Sequence, residues 1–138
     1  MQAQAQETIA DSVVSYTQML IEALKHNYIQ YAIRAHQRFV DKGESVDYHL
    51  SKIEWLKNGN CEIDYVIETG RKYHKVIMIS SANSRSVHCF IDKQTGSMYK
   101  AATWKSPAKG VRFDLRHIPS REYVLENCDW SGGYLYAR

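Results

Sequence analysis

The chain is short of the residues that interrupt or cross-link a fold. Two prolines and seven glycines in 138 residues leave few forced breaks, and 44% apolar content is enough for a buried core. Disordered, collagenous and low-complexity classes are excluded. Cysteine is scarce and odd in number: Cys61, Cys89 and Cys128 cannot form a fully paired disulfide framework. No C-x-x-C pair suggests a zinc ribbon or a redox dithiol. The longest strongly apolar run, Val76-Ile77-Met78-Ile79, is far below the ~20 residues a membrane-spanning helix needs. Met1 to Gln6 lacks the basic and apolar regions of a secretory signal. Free thiols and no membrane segment predict a cytoplasmic protein whose cysteines are small buried hydrophobes.

Catalytic signatures are missing as well. The six histidines form no H-x-x-H, H-x-x-x-H or H-E-x-x-H spacing, and neither G-x-S-x-G nor G-x-G-x-x-G occurs. Asp92-Lys93-Gln94-Thr95-Gly96 lacks both the phosphate-loop frame and the carboxylate ladder of a calcium loop, and reads as a hairpin turn. Glu7 and Asp11, at helix spacing, read as solvated charges that complement the helix dipole. His88 and Cys89 are strand neighbours, so alternation sends them to opposite faces and prevents a thiolate–imidazolium couple. No catalytic, cofactor-binding or metal-ligating residue is assigned.

What is present is a strong change of periodicity. Ile9, Val13, Tyr16, Leu20, Leu24, Tyr28, Tyr31, Ala35 and Phe39 recur every three or four residues, one stripe of a helix over 7–40 with a stop at Gly43. As a straight rod it would be about 50 Å long, whereas the whole chain should have a radius of gyration of about 14 Å. Either it bends, near Lys25-His26-Asn27, or it projects and buries its stripe against another copy. The stripe is rich in tyrosine, whose hydroxyl needs a partner when buried, as at a half-wet interface.

After Gly43, turn signals alternate with β-branched and aromatic segments. They predict an antiparallel meander at roughly 46–56, 61–69, 73–81, 86–91 and 97–103, with Asn58-Gly59 as a type I′ hairpin. Val46, Leu50 and Ile53 also fit a helix. Residues 104–116 read as a loop, Pro119 opens a short helix to Asn127, and 130–136 forms an edge strand or stays mobile. The fold class is α+β: an N-terminal helical segment packed on a four- to five-stranded antiparallel meander, with a short C-terminal helix. It forms one domain, with 1–43 helical, 44–104 the sheet, and 105–138 loop and short helix. One helix covers one sheet face, so the other is polar or a contact surface.

Net charge is +3. Residues 1–70 hold six Lys/Arg against ten Asp/Glu, giving −4, and residues 71–138 hold twelve against five, giving +7. The densest candidate is Trp104-Lys105-x-Pro107-x-Lys109-Gly110-x-Arg112 followed by Arg116. Cations beside an aromatic ring suit a nucleic-acid surface, because phosphates take fixed cations and bases stack on rings. The competing readings are a solvated loop anchored to the core by its Trp, and a site for an acidic protein surface.

Residues 87–115 carry a run that includes Asp92-Lys93-Gln94-Thr95-Gly96, Tyr99-Lys100-Ala101-Ala102-Thr103-Trp104-Lys105 and Pro107-Ala108-Lys109-Gly110-Val111-Arg112. This run resembles a stretch of small uncharacterised proteins of tailed bacteriophages, and Gly70-Arg71-Lys72-Tyr73-x-Lys75-Val76 is also similar. The resemblance covers about a fifth of the chain. It implies a phage origin and expression inside an infected bacterium, and transfers no activity and no site residue.

The expected function is a non-enzymatic interaction module that meets nucleic acid or an acidic protein surface through Trp104, Lys105, Lys109, Arg112 and Arg116. A homo-oligomeric structural or assembly protein, and a small enzyme without a recognisable motif, are the alternatives.

Overall fold

The computed structural model describes residues 8–136; Met1 to Gln6 and Glu7, read above from sequence, lie outside them. Helix α1 runs Ile9–Asp41 without a break. Thr8 starts it with a reciprocal cap: its Oγ1 accepts from the Asp11 amide at 3.0 Å, and the Asp11 carboxylate accepts from the Thr8 amide. Gly43, at φ +74°, ends it in the left-handed conformation. The chain then turns back into helix α2, Val46–Lys57.

Helix α2 corrects two expectations. Residues 46–56 form no strand, so the sheet does not begin at 44. Asn58-Gly59 is no hairpin but the end of α2, where the Asn58 amide donates to Glu54 O and Gly59 takes φ +89°. The left-handed capacity of Gly59 is used to stop a helix instead of reversing a ribbon. Helix α1 is unbroken, and its distal half runs past the main core and packs on α2 of the same chain. Val13, Leu20, Ile21 and Leu24 join the main core, while Ala32 is buried beyond it with Ile53 and Leu56 of α2.

The sheet contains β1 (Asp64–Thr69), β2 (Tyr73–Ile79), β3 (Arg85–Asp92), β4 (Ser97–Lys100) and β5 (Phe113–Asp114). They are hydrogen-bonded in sequence order and antiparallel throughout, so the expected meander is present. Its fifth strand, however, comes from the segment read as loop. Helix α3, Ile118–Asn127, has Pro119 in its first turn.

Tyr65, Val76, Cys89, Ile91 and Met98 form the inner sheet face, packed with α1, Leu115, Val124 and Cys128. The tail, expected as edge strand or mobile chain, forms a short 3-10 turn at Gly133–Leu135 with Leu135 fully buried. The Trp130 amide donates to Asn27 Oδ1 at 2.9 Å. Tyr28 and Tyr31 meet the Trp130 ring at 5.4 and 5.1 Å between centroids, and Tyr16 lies under the Arg121 guanidinium. The tyrosine stripe therefore has partners within its own chain.

The β2–β3 register shifts between Val76 and Ile77, so Val76 faces Cys89 while Ile77 faces Val87. His88 is the extra residue of this bulge. Strand alternation fails there: the His88 ring sits on the inner side, 5.8 Å from Tyr65 and 5.6 Å from Tyr134. These rings belong to the cluster that contains Cys89, so the expected separation of His88 and Cys89 to opposite faces does not hold. All three cysteines are free thiols, and burial pushes the Cys128 thiol up to about 11. No helix among the described residues is long and apolar enough to cross a membrane.

Candidate nucleic-acid interface

Strand alternation builds the outer sheet face. Val76 points to the core, so Tyr73, Lys75 and Ile77 point away from it, as do Phe90 and Tyr99 on the neighbouring strands. The register sets Glu68, Lys75, Phe90 and Tyr99 side by side on four successive strands. Tyr73 packs edge-on against both Phe90 and Tyr99, each at 5.8 Å between centroids. The face expected to be polar or a contact surface is thus aromatic and cationic.

The β4–β5 connection folds back over this face. Ala101 bridges Pro107, and the Ala102 and Thr103 amides donate to Ser106 O, which makes a tight turn with Trp104 and Lys105 at its tip. Thr103 Oγ1 accepts from the Lys105 and Ser106 amides and fixes the turn. The Lys75 ammonium stands 4.7 Å from the Trp104 ring centroid, and its second neighbour is Glu68 at 3.6 Å. Trp104 remains 43% exposed.

Between this tip and the β1–β2 turn lies a groove of about 230 Å³. Arg71, Lys72, Lys75 and Lys105 supply its cations, Tyr73 and Phe90 its aromatic floor, and Glu68 is the one carboxylate lining it. Lys72 Nζ also stands over the Tyr73 ring at 5.4 Å. Lys93 braces the site from behind, its Nζ donating to the Gly70 and Arg71 carbonyls.

Of the five residues singled out in sequence, Lys105 lines this groove and Trp104 stands beside it, against the Lys75 ammonium. Lys109 is exposed and does not line it. Arg112 is occupied within the fold: its Nε donates to Leu135 O at 2.6 Å, and its terminal nitrogen donates to the Lys109 and Gly110 carbonyls. Arg116 packs along Gly96 and donates to Gln94 O. Arg71, Lys72, Tyr73, Lys75, Phe90 and Tyr99 were not singled out. The signal for them was the alternation of Tyr73 and Lys75 after the basic pair Arg71-Lys72, in register with the aromatics of β3 and β4.

Fold and face together define a class: an α+β domain with a nearest-neighbour antiparallel meander, helices on one side and an aromatic, cation-bearing face on the other. The chain belongs to the Family of unknown function (DUF7717), whose model matches residues 1–137. No curated protein and no solved structure matches it.

Proposed function

We propose that the protein is a non-enzymatic binding module that holds single-stranded nucleic acid on its outer sheet face. The observation that carries this reading is the cross-strand row of Lys75, Phe90 and Tyr99 beneath the Trp104–Lys105 turn. The accessible rings of Tyr73, Tyr99 and Trp104, with buried Phe90 as their support, accept bases, and the cations of the groove follow the phosphates without reading sequence. A single strand fits better than a duplex, because the partly exposed rings of Tyr73 and Tyr99, set beside the buried Phe90, are reached only by unstacked bases. The bacteriophage resemblance supports a setting in the cytoplasm of an infected bacterium.

Fluorescence anisotropy with a labelled deoxythymidine oligonucleotide across a salt series tests this reading. Binding should weaken with salt, and each lost phosphate contact, as in Lys72→Ala or Lys105→Ala, should reduce the log–log slope by about 0.7. Trp104→Ala should weaken binding by about 1–3 kcal/mol if one base stacks on it. Lys109→Ala should leave binding unchanged. Absence of binding at low salt overturns the proposal, and binding of an acidic protein in place of the oligonucleotide redirects it.

A second reading, a homo-oligomeric assembly protein, has its own observation. The projecting α1–α2 hairpin leaves Phe39, Tyr48 and Leu50 exposed near its far end.

A further inference from the structure

A second concavity lies on the opposite side of the sheet from the groove. It is a cleft of about 330 Å³ between the ends of β2, β3 and β4 and the C-terminal segment, with His88, Lys100, Trp130 and Tyr136 among its walls. Lys100 pairs with Cys89 across β3 and β4 and so belongs to the inner side. Its ammonium stands 4.6 Å from the Tyr136 ring centroid. Ser86 adds a hydroxyl and Met78 an apolar patch.

His88 is held there by a defined arrangement. The β3 bulge turns its ring inward, and its Nε2 is 2.7 Å from Tyr134 Oη. A phenol is the stronger acid of two neutral groups, so Tyr134 donates its proton to Nε2. Burial pushes the Tyr134 hydroxyl well above its ordinary range and the imidazole down to about 4, so both are neutral near pH 7. With Nε2 accepting, the imidazole proton resides on Nδ1. That edge lies beside Gly132, a wall of the cleft, with Nδ1 4.0 Å from where a Cβ would stand. Among the described residues, Nδ1 has no hydrogen-bond partner.

The cleft thus has one cation, one oriented N–H donor and two flat rings. We propose that it binds a small anion carried on a flat ring, of nucleoside monophosphate size, with the anionic group on Lys100 Nζ and His88 Nδ1–H and the ring against Trp130 or Tyr136. Lysine serves such an anion as a point charge, and the imidazole supplies direction. The volume lies at the small end of ordinary ligand sites. The site shares no lining residue with the outer groove, so it stands or falls separately from the proposed nucleic-acid face.

Titration of the full chain with AMP, GMP, CMP and UMP, followed by NMR at the Trp130 indole and the His88 imidazole, tests the site. At least one monophosphate should give saturable shifts at both residues with a dissociation constant below about 1 mM. The matching uncharged nucleoside should bind about tenfold more weakly, and Lys100→Gln should weaken the monophosphate by a similar factor. Nitrogen shifts of the free protein should place the His88 proton on Nδ1. The proposal is overturned if no monophosphate saturates by about 5 mM, if Lys100→Gln leaves binding intact, if the shifts fall at Trp104 instead of Trp130, or if the proton is on Nε2.

Discussion

Tyr65 has its ring in the main core and its hydroxyl buried without a partner among the described residues. Burial pushes that hydroxyl far above its ordinary range, so it stays a neutral, unsatisfied donor. An unpaired buried hydroxyl costs about 1–3 kcal/mol. Tyr65→Phe removes the cost and keeps the ring, so it should leave stability unchanged or raise it by about 1 kcal/mol, read from the urea midpoint. A loss larger than about 1 kcal/mol would show that the hydroxyl has a role in the native fold. Arg112 makes the complementary point. Its charge was legible in sequence, but its use was not, because whether a guanidinium meets a ligand or its own backbone depends on where distant carbonyls lie. Leu135 O, 23 residues away, could not be placed from local pattern. Lys105 stayed free to reach the groove because its neighbours in the Thr103–Ser106 turn satisfy one another.

At the scale of elements, the β3 bulge and the α1–α2 hairpin both set histidines in partly dry surroundings. Burial lowers His88 to about 4, and it lowers His36 and His74 in the same direction. His36 is further lowered by His49, whose Nδ1 is 2.7 Å from its own, a geometry that requires one of the two nitrogens to be without a proton. An imidazole with a depressed folded pKa binds protons more weakly in the native state than in the unfolded chain. Its contribution is therefore complete above about pH 6.5 and is lost as the pH falls toward the folded value. For His88 alone the loss from pH 6.5 to 4 amounts to about 3 kcal/mol. Denaturation curves at pH 7 and 4.5 should differ accordingly, and His88→Asn should flatten the difference. Equal midpoints for the parent protein would refute the assignment. Asp64, held low by Lys25, titrates below this window and does not obscure it.

The elements themselves were unevenly legible. Helix α1 and strands β2 to β4 follow from period and turn chemistry, because each has one clear buried side. Helix α2 does not, since Val46, Leu50 and Ile53 fit two periods in a short segment. What decides between them is the projecting half of α1, which offers Ala32 a partner for Ile53 and Leu56. β5 is only two residues long and exists because the edge of β4 is there to pair with. The candidate face was half legible: Trp104 and Lys105 stood out as a cluster, whereas Lys75, Phe90 and Tyr99 are dispersed along the chain and become adjacent only through strand register.

For the molecule as a whole, the hairpin that carries α1 beyond the sheet is a separate hydrophobic unit, tied back by the Lys52–Glu62 ion pair. Light scattering over a concentration series checks whether a second copy covers its exposed Phe39, Tyr48 and Leu50. A mass that rises toward a dimer, and falls again in Leu50→Lys, is the expected result for the assembly reading; a strict monomer removes it.

Every strand pairs with its immediate neighbour in sequence, so the sheet can form from short loops as the chain emerges. The core it needs is not local. Val124, Cys128 and Leu135 fill the same cluster as Val13 and Leu20, and Asn27 is joined to Trp130 across 103 positions. During synthesis, therefore, the first helix and the meander must wait with an open inner face until the Gly133–Leu135 turn has emerged. Val124, Cys128 and Leu135 act as the latch of the domain, and a chain halted before they are made would leave the sheet with its seam unclosed.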